Sequence, residues 1–276
     1  MVFNCAQTKI LSPNYFMNNT LLIVSLPFEP VVFGVKLNIH LILEYLAFFV
    51  GFRYYVFLRK RSTDVISSNN RLSILIGAVF GALLLSRVVA FFENPVAHLQ
   101  EDWLYNLNNK TIMGGLFGGL LGVELAKKII GEKHSSGDLF TLPIILGLII
   151  GRIGCFLAGI KEFTFGKETS FFTGMNLGDG VLRHPIALYE VVFLTVLFII
   201  IRRLQKSNHT FQNGDFFKLF MVTYFTLRFC IEFLKPNSYY TLGLSSIQIL
   251  CLICLVYYYK FILQGITYVR KKLYLL

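Results

Sequence analysis

The sequence predicts an all-α polytopic membrane protein, with seven transmembrane helices, the N-terminus outside and the C-terminus cytoplasmic, in a single integral membrane domain covering residues 1–276. Three observations lead there. Of the residues 55% are hydrophobic and 15% charged, against about 25% charged in soluble domains, and the mean hydropathy is +0.63. Apolar runs of membrane-spanning length recur from one end of the chain to the other, which makes lipid the relevant solvent. The basic residues, finally, are shared unevenly between the connections, as the cytoplasmic preference of Lys and Arg requires.

Windows of about 20 apolar residues place the spans, in order, near residues 37–58, 72–92, 111–131, 139–160, 185–201, 216–234 and 241–263. The first span runs into Arg59, Lys60 and Arg61, and Arg71 precedes the second. Lys127, Lys128 and Lys133 follow the third, and Arg202, Arg203, Lys206 and Lys218 separate the fifth from the sixth. Lys260, Arg270, Lys271 and Lys272 close the chain, bringing this side to 15 basic residues against 7 on the other. The outer connections 93–110, with Trp103 as an interface anchor, and 161–184, rich in Gly, Phe and Thr, are the longest. The second reads as either a functional arm or a plain surface loop. A lone Lys9 and an apolar stretch broken by Pro27 and Pro30 do not make a signal peptide, so the first span is expected to target the chain.

Several function classes fall away. The net charge of +11 arises from 26 Lys and Arg dispersed between apolar segments, so no nucleic acid partner is expected. Cys5, Cys155, Cys230, Cys251 and Cys254 form no paired framework and read as free thiols. The Cys251-x-x-Cys254 pair stands alone in an apolar helix, and the sequence carries no sign of a metal or a cofactor.

What points to function is charge inside the membrane. Arg87, Glu124, Arg152, Glu190, Arg228 and Glu232 fall within apolar spans, where an ionised group costs a few kcal/mol unless it meets a partner, a cavity or a ligand. With the orientation above, Arg87, Arg152 and Arg228 sit toward the outer end of their helices, and Arg183, His184 and Glu190 stand at the outer start of the fifth span. Mutual neutralisation of Arg228 and Glu232, four residues apart, and snorkelling or Glu190 pairing of Arg87 and Arg152 are the bland readings. A cluster of guanidinium forks below the outer surface suits a phosphate, and a phospholipid headgroup is the obvious one. Pro185 at a first helical turn offers free amides to the same anion. Gly114, Gly115, Gly118, Gly119 and Gly122 make a small-residue face, read first as close helix packing and second as room for a lipid to approach the backbone.

These residues resemble the prolipoprotein diacylglyceryl transferases. Gly151-Arg152-Ile153-Gly154-Cys155-Phe156 is similar to the family's G-R-[IL]-G-N-F signature, and Arg183-His184-Pro185 with Leu188-Tyr189-Glu190 to its R-H-P-x-x-L-Y-E. Arg228 to Pro236 resembles R-x-x-x-E-F-x-R-x-P, and Gly243 to Gln248 the closing G-x-S-x-x-Q. The likeness runs in order from about residue 27 to 260. It implies transfer of the diacylglyceryl group of phosphatidylglycerol to the lipobox cysteine of a prolipoprotein, at the outer face of the bacterial inner membrane. By that resemblance Arg152 and Arg228 hold the phosphate, with Glu232 and Glu190 organising them, and Arg87, Gly114, Gly115, Gly118, Gly154, Cys155, Arg183, Tyr189, Gln248 and His40 line the substrate site.

The chain departs from the family where Met113 replaces a His, Ile42 a Tyr and Cys155 the signature Asn, while Ala158-Gly159-Ile160 stands for Asn-Gly-Glu with Glu162 two residues on. A thiol of ordinary pKa about 8.5 needs a base to react near neutral pH. His184 and His40 stand at outer helix ends, and His184 is the better placed of the two; interfacial anchoring is the plainer reading of His40. The rival to an enzyme is a relative that binds anionic phospholipid without turnover as an envelope assembly subunit, and an anion transporter is a distant third.

Overall fold

A computed structural model describes residues 25–273 apart from 63, 94, 96–98, 100–108, 207–210, 237–239 and 241–242, with side chains described as far as 267. Trp103, Cys5 and Lys9 lie outside the described residues, as does most of the 93–110 connection. The chain is mainly helical: α1 Ile39–Arg61, α2 Ser68–Glu93, α3 Ile112–Ile130, α4 Asp138–Ala158, α5 Ile186–Lys206, α6 Asp215–Ile231, α7 Ser246–Tyr257 and α8 Tyr259–Leu273. Two-residue antiparallel hairpins, β1 Val31–Val32 with β2 Val35–Lys36 and β3 Met175–Asn176 with β4 Leu182–Arg183, ornament one end.

Each apolar window of the sequence holds a helix, and local chemistry sets the ends. Asn38 Oδ1 accepts the Leu41 amide at 3.1 Å to start α1, and Thr111 Oγ1 accepts that of Gly114 at 3.2 Å to start α3. Gly131, at φ 71°, ends α3 in the left-handed conformation that glycine adopts without cost. By length and composition α1, α2 and Asp138–Lys161 can each cross a membrane. The window at 241–263 is not one straight rod: α7 and α8 meet at Tyr258 with a 64° bend, and only taken together are they long and apolar enough for a crossing. The helix α6 has 17 residues, and α3 carries Glu124, Lys127 and Lys128, so each falls short of such a crossing taken alone. Phe48, Phe49, Phe52, Phe80, Leu125, Ile129, Val192 and Val256 stand exposed along the helices, the surface that lipid tails cover.

In lipid, apolar burial gives helices no reason to associate, so small residues and close backbone contact decide the packing. α2 and α3 form the most extensive pair, followed by α1 with α4 and α4 with α5. Between α2 and α3 the glycines interlock: a Cβ on Gly118 would run into the Gly81 carbonyl, one on Gly122 into that of Gly77, and one on Gly114 would stand 2.6 Å from the Leu85 carbonyl oxygen. This is the close packing read first for Gly114 and Gly118, and α2 occupies the space that the second reading gave to a lipid. Gly115 faces elsewhere, with only Ser86 Cβ at 3.9 Å. Around this pair Phe117, Leu194, Phe220, Tyr224, Phe225, Cys251 and Cys254 build a buried core, which also contains Met113.

At the end of the bundle that carries the basic clusters, Arg71 grips Asp64 with two hydrogen bonds of 2.8 and 2.6 Å and reaches the Ser136 carbonyl at 3.3 Å. The Arg71 fork holds the Asp64 carboxyl below the usual carboxylate range, against the opposing effect of partial burial. Its stabilisation is therefore complete above the unfolded carboxylate value of about 3.9 and is lost as pH falls through the lower folded value. Asp138 ties α4 to the start of α6 by accepting the amides of Gly214 at 2.6 Å and Phe217 at 3.1 Å.

The glycine seam yields a test. Gly118→Val is expected to lower the thermal unfolding midpoint in detergent by the equivalent of about 1–3 kcal/mol, through overpacking against α2. Gly115→Ala, whose new methyl meets ordinary van der Waals space, stays within about 0.5 kcal/mol of wild type. Equal midpoints for the two variants would contradict the interlocked seam.

Candidate active site

The intramembrane charges named from the sequence converge on one carboxylate. Glu190, on the second turn of α5, is fully buried, and its Oε1 accepts Arg228 NH1 of α6 at 2.7 Å. Its other oxygen accepts the Tyr224 hydroxyl at 2.6 Å and lies 3.0 Å from Nε of Arg152 on α4. Arg228 NH2 meets Glu232 Oε2 at 2.8 Å, in the one-turn spacing that places both on the same helix face. Lys235, just beyond, lies 3.7 Å from Glu232 and 3.5 Å from Glu93 at the end of α2. Arg152, Arg228 and Lys235 are each at most 5% exposed, and Glu190 and Glu232 not at all. Among the described residues, these three cations thus face Glu190, Glu232 and, at the edge of the cluster, Glu93.

The accounting leaves donors over. Arg152 Nε, close to Glu190 but off the line of its N–H, and Arg228 Nε are buried without a hydrogen-bond partner. An unmet guanidinium donor in a low-dielectric site costs free energy that an anion would recover. Tyr224 is a member that the sequence reading overlooked, although it stands four residues before Arg228 on the face that also carries Glu232.

A second group of polar residues adjoins the first. Arg152 NH1 lies 3.9 Å from Cys155 Sγ, and on the other side of that sulfur His40 Nε2 stands 3.5 Å away. His40 Nδ1 in turn lies 3.2 Å from Glu162 Oε1. Gly154 is what admits α1 this close: a Cβ there would sit 3.1 Å from Leu43 Cβ and 3.5 Å from the His40 backbone. Cys155 also borders a cavity of about 10 Å³, room for about one water, lined by Phe156, Gly159, Leu177, Pro185 and Ile186 among others.

The 161–184 connection is a folded arm over this end. Ile160 N–H donates to the Leu177 carbonyl at 3.2 Å, Thr169 N–H to that of Leu182 at 2.9 Å, and Lys167 N–H to that of Leu234 at 2.6 Å. His184 is built into the arm: its amide donates to the Lys167 carbonyl at 3.1 Å, and its Nδ1 lies 3.1 Å from the Tyr189 hydroxyl. Tyr189 shares its hydroxyl with Thr173 at 2.5 Å. Lys161 pairs with Glu29 of the N-terminal segment, a bond that holds the Glu29 carboxyl below its usual range.

The structure brings together Arg152, Glu190, Arg228 and Glu232, and beside them Cys155, Gly154 and His40. Other expected members stand apart. Arg183 is spent on Asp179, 2.7 Å away, with Phe165 under its guanidinium at 5.3 Å. Arg87 donates back to the Leu83 carbonyl of its own helix at 3.2 Å. Gln248 is taken up in a reciprocal cap with Ser245 that starts α7, at 2.9 and 3.2 Å, and donates to the Phe229 carbonyl at 3.3 Å. Its amide is therefore a brace rather than a free ligand group. The amide of Ile186 donates to the His184 carbonyl at 2.9 Å, which removes one of the free amides expected at the start of α5.

The sequence model of one family, described as prolipoprotein diacylglyceryl transferase, matches residues 30–263. The chain belongs to the prolipoprotein diacylglyceryl transferase family. Among similar proteins, each named phosphatidylglycerol–prolipoprotein diacylglyceryl transferase, that of Wolbachia pipientis subsp. Culex pipiens is 32% identical over 61% of this chain and 64% of its own length. Relatives from Campylobacter hominis and Finegoldia magna, both 27% identical, align over 83% and 82% of this chain and 88% and 90% of their own. The chain thus spans just under two thirds of the first of these and most of the other two. Within this diacylglyceryl transferase frame the three departures acquire places. Met113 is 1% exposed and packed into the apolar core, Ile42 is 43% exposed on α1, and Cys155 occupies the junction between Arg152 and His40.

The shared carboxylate sets a further expectation. Glu190→Gln leaves two buried guanidinium groups without their common counter-charge, and is expected to cost about 3–5 kcal/mol of stability. The unfolding midpoint in detergent, compared with wild type, measures this; a loss below about 1 kcal/mol would contradict the role of Glu190 as the hub.

Proposed function

We propose that this family member transfers the diacylglyceryl group of phosphatidylglycerol to the lipobox cysteine thiol of a prolipoprotein, at the outer face of the bacterial inner membrane. All seven helical windows cross the bilayer in this reading, with the N-terminus outside. The observation that carries it is the buried pair Arg152 and Arg228, each with an unmet Nε–H. The acceptor sulfur attacks the glyceryl carbon, the bond from that carbon to the phosphate oxygen breaks, and glycerol phosphate departs. Negative charge grows on the phosphate as it leaves, and preorganised guanidinium donors in a dry site stabilise that charge most effectively. Arg152 and Arg228 hold the phosphate. Glu190, Glu232 and Tyr224 keep the two forks in place.

His184 serves the arm in this reading rather than the chemistry, since its contacts run to Tyr189 and to backbone of the arm. Met113, sealed in the core where the family carries a histidine, favours the rival that binds phospholipid without turnover. One assay separates them: proteoliposomes with labelled phosphatidylglycerol and a lipobox-cysteine peptide. Label on the cysteine in wild type, reduced by about 100-fold or more in Arg152→Ala and Arg228→Ala while both remain folded, is the expected outcome. Full transfer by either variant would refute the phosphate assignment. Phosphatidylglycerol that co-purifies without any transfer would establish the binding relative instead.

A further inference from the structure

We propose that Glu162, His40 and Cys155 form a proton relay that takes the proton of the acceptor thiol, replacing the base that the buried Met113 does not supply. The side chains stand in a row: Glu162 Oε1, His40 Nδ1 at 3.2 Å, then from His40 Nε2 to Cys155 Sγ 3.5 Å, and from Sγ to Arg152 NH1 3.9 Å. The carboxylate keeps the imidazole proton on Nδ1, so Nε2 turns its lone pair toward the thiol; this is the orienting role that a third group plays in nucleophile–base–acid arrangements. A guanidinium and an imidazole able to accept a proton thus both lie near the sulfur, surroundings in which a thiol gives up its proton readily. Cys251 and Cys254, by contrast, belong to the buried apolar core.

The order of the row determines what it can do. The phosphate in the proposed function lies on Arg152, so an acceptor thiol beside the glyceryl carbon meets Cys155 first. Cys155 passes its own proton to His40 Nε2 and receives the acceptor's in return, leaving the acceptor as thiolate and His40 as imidazolium paired with Glu162. The side chains of His40 and Glu162 are 20% and 37% exposed, so the proton then leaves to water at the outer end. A thiol is well matched to this task, because donor and acceptor are the same chemical group and the transfer is close to thermoneutral. Cys155 is not a covalent way-station. Its attack on the lipid would form a thioether to the glyceryl carbon, and a thioether has no competent leaving group for a second displacement.

The catalytic half of this inference rests on the proposed transfer; the activated thiol does not, and can be tested alone. The purified chain is treated with iodoacetamide and each cysteine is followed by peptide mass spectrometry. At pH 7, Cys155 in wild type is expected to react at least tenfold faster than in His40→Gln, and Glu162→Gln to fall between them. The gap closes above pH 9, where any thiol ionises unaided. Cys155 that stays unlabelled, or reacts equally in wild type and His40→Gln, overturns the relay. In the proteoliposome assay, Glu162→Gln is expected to lower kcat about tenfold with little change in KM for the lipid, and to shift the rising limb of the pH profile downward, because without the carboxylate the imidazolium gives up its proton at lower pH. Transfer that survives His40→Gln unaltered, or a diacylglyceryl adduct found on Cys155 during turnover, also overturns it. A wild type that shows His40-dependent alkylation but no transfer refutes the proposed function while leaving the activated thiol standing.

Discussion

The Glu190 carboxylate governs the arrangement of the bundle at the functional end. It is fully buried and is shared by Arg152 of α4 and by Tyr224 and Arg228 of α6, so three helices meet on two oxygen atoms. Water screens none of these charges, and in such surroundings an ion pair broken on one side leaves a cost of several kcal/mol on the other. The geometry is accordingly unforgiving: α4, α5 and α6 keep their register because no displaced arrangement leaves the charges matched. Glu232 and Lys235 extend the same constraint beyond the end of α6 and back to Glu93 of α2. Held this way, the guanidinium groups cannot turn to satisfy their last N–H bonds, and the site keeps unspent donors for an anion.

Packing without a hydrophobic driving force explains the rest of the scaffold. The α2–α3 seam is closed by glycines on both sides, backbone against backbone. The same device works once more at Gly154, where a missing side chain lets α1 approach α4 and delivers His40 to Cys155. The absence of a side chain at Gly154 thus also sets the distance between His40 and Cys155. The folded arm covers the end of the bundle that carries the site, with Gly159 at φ 59° turning the chain tightly under Leu177.

The departures from the family pattern gain coherence in this setting. On α3 the side chain at position 113 has become part of the apolar core, and on α4 the signature position has become a thiol beside a histidine and a carboxylate. Position 113 is thus apolar, while His40, Cys155 and Glu162 of the proposed relay lie together where α1 approaches α4. In this view the phosphate half of the site is the fixed element and the proton-handling half is the adaptable one, since a leaving phosphate demands guanidinium forks but several residue types can take a proton.

Composition, the seven apolar windows and the placement of charges were enough to establish a helical membrane protein and to single out Arg152, Glu190, Arg228 and Glu232, because an ionised group in an apolar run is conspicuous wherever it folds. The pairing of Arg228 with Glu232 was legible too, being a one-turn spacing on a single helix. What needed the tertiary structure were relations between helices. Only the packed seam shows that Gly114 and Gly118 serve α2. His40, Cys155 and Glu162 were each visible in the sequence, yet 115 residues separate His40 from Cys155, and no periodicity links positions on different helices. Local spacing fixes neighbours along one element; which elements touch, and hence which side chains become chemistry, is decided by the glycine contacts and buried charges that close the bundle.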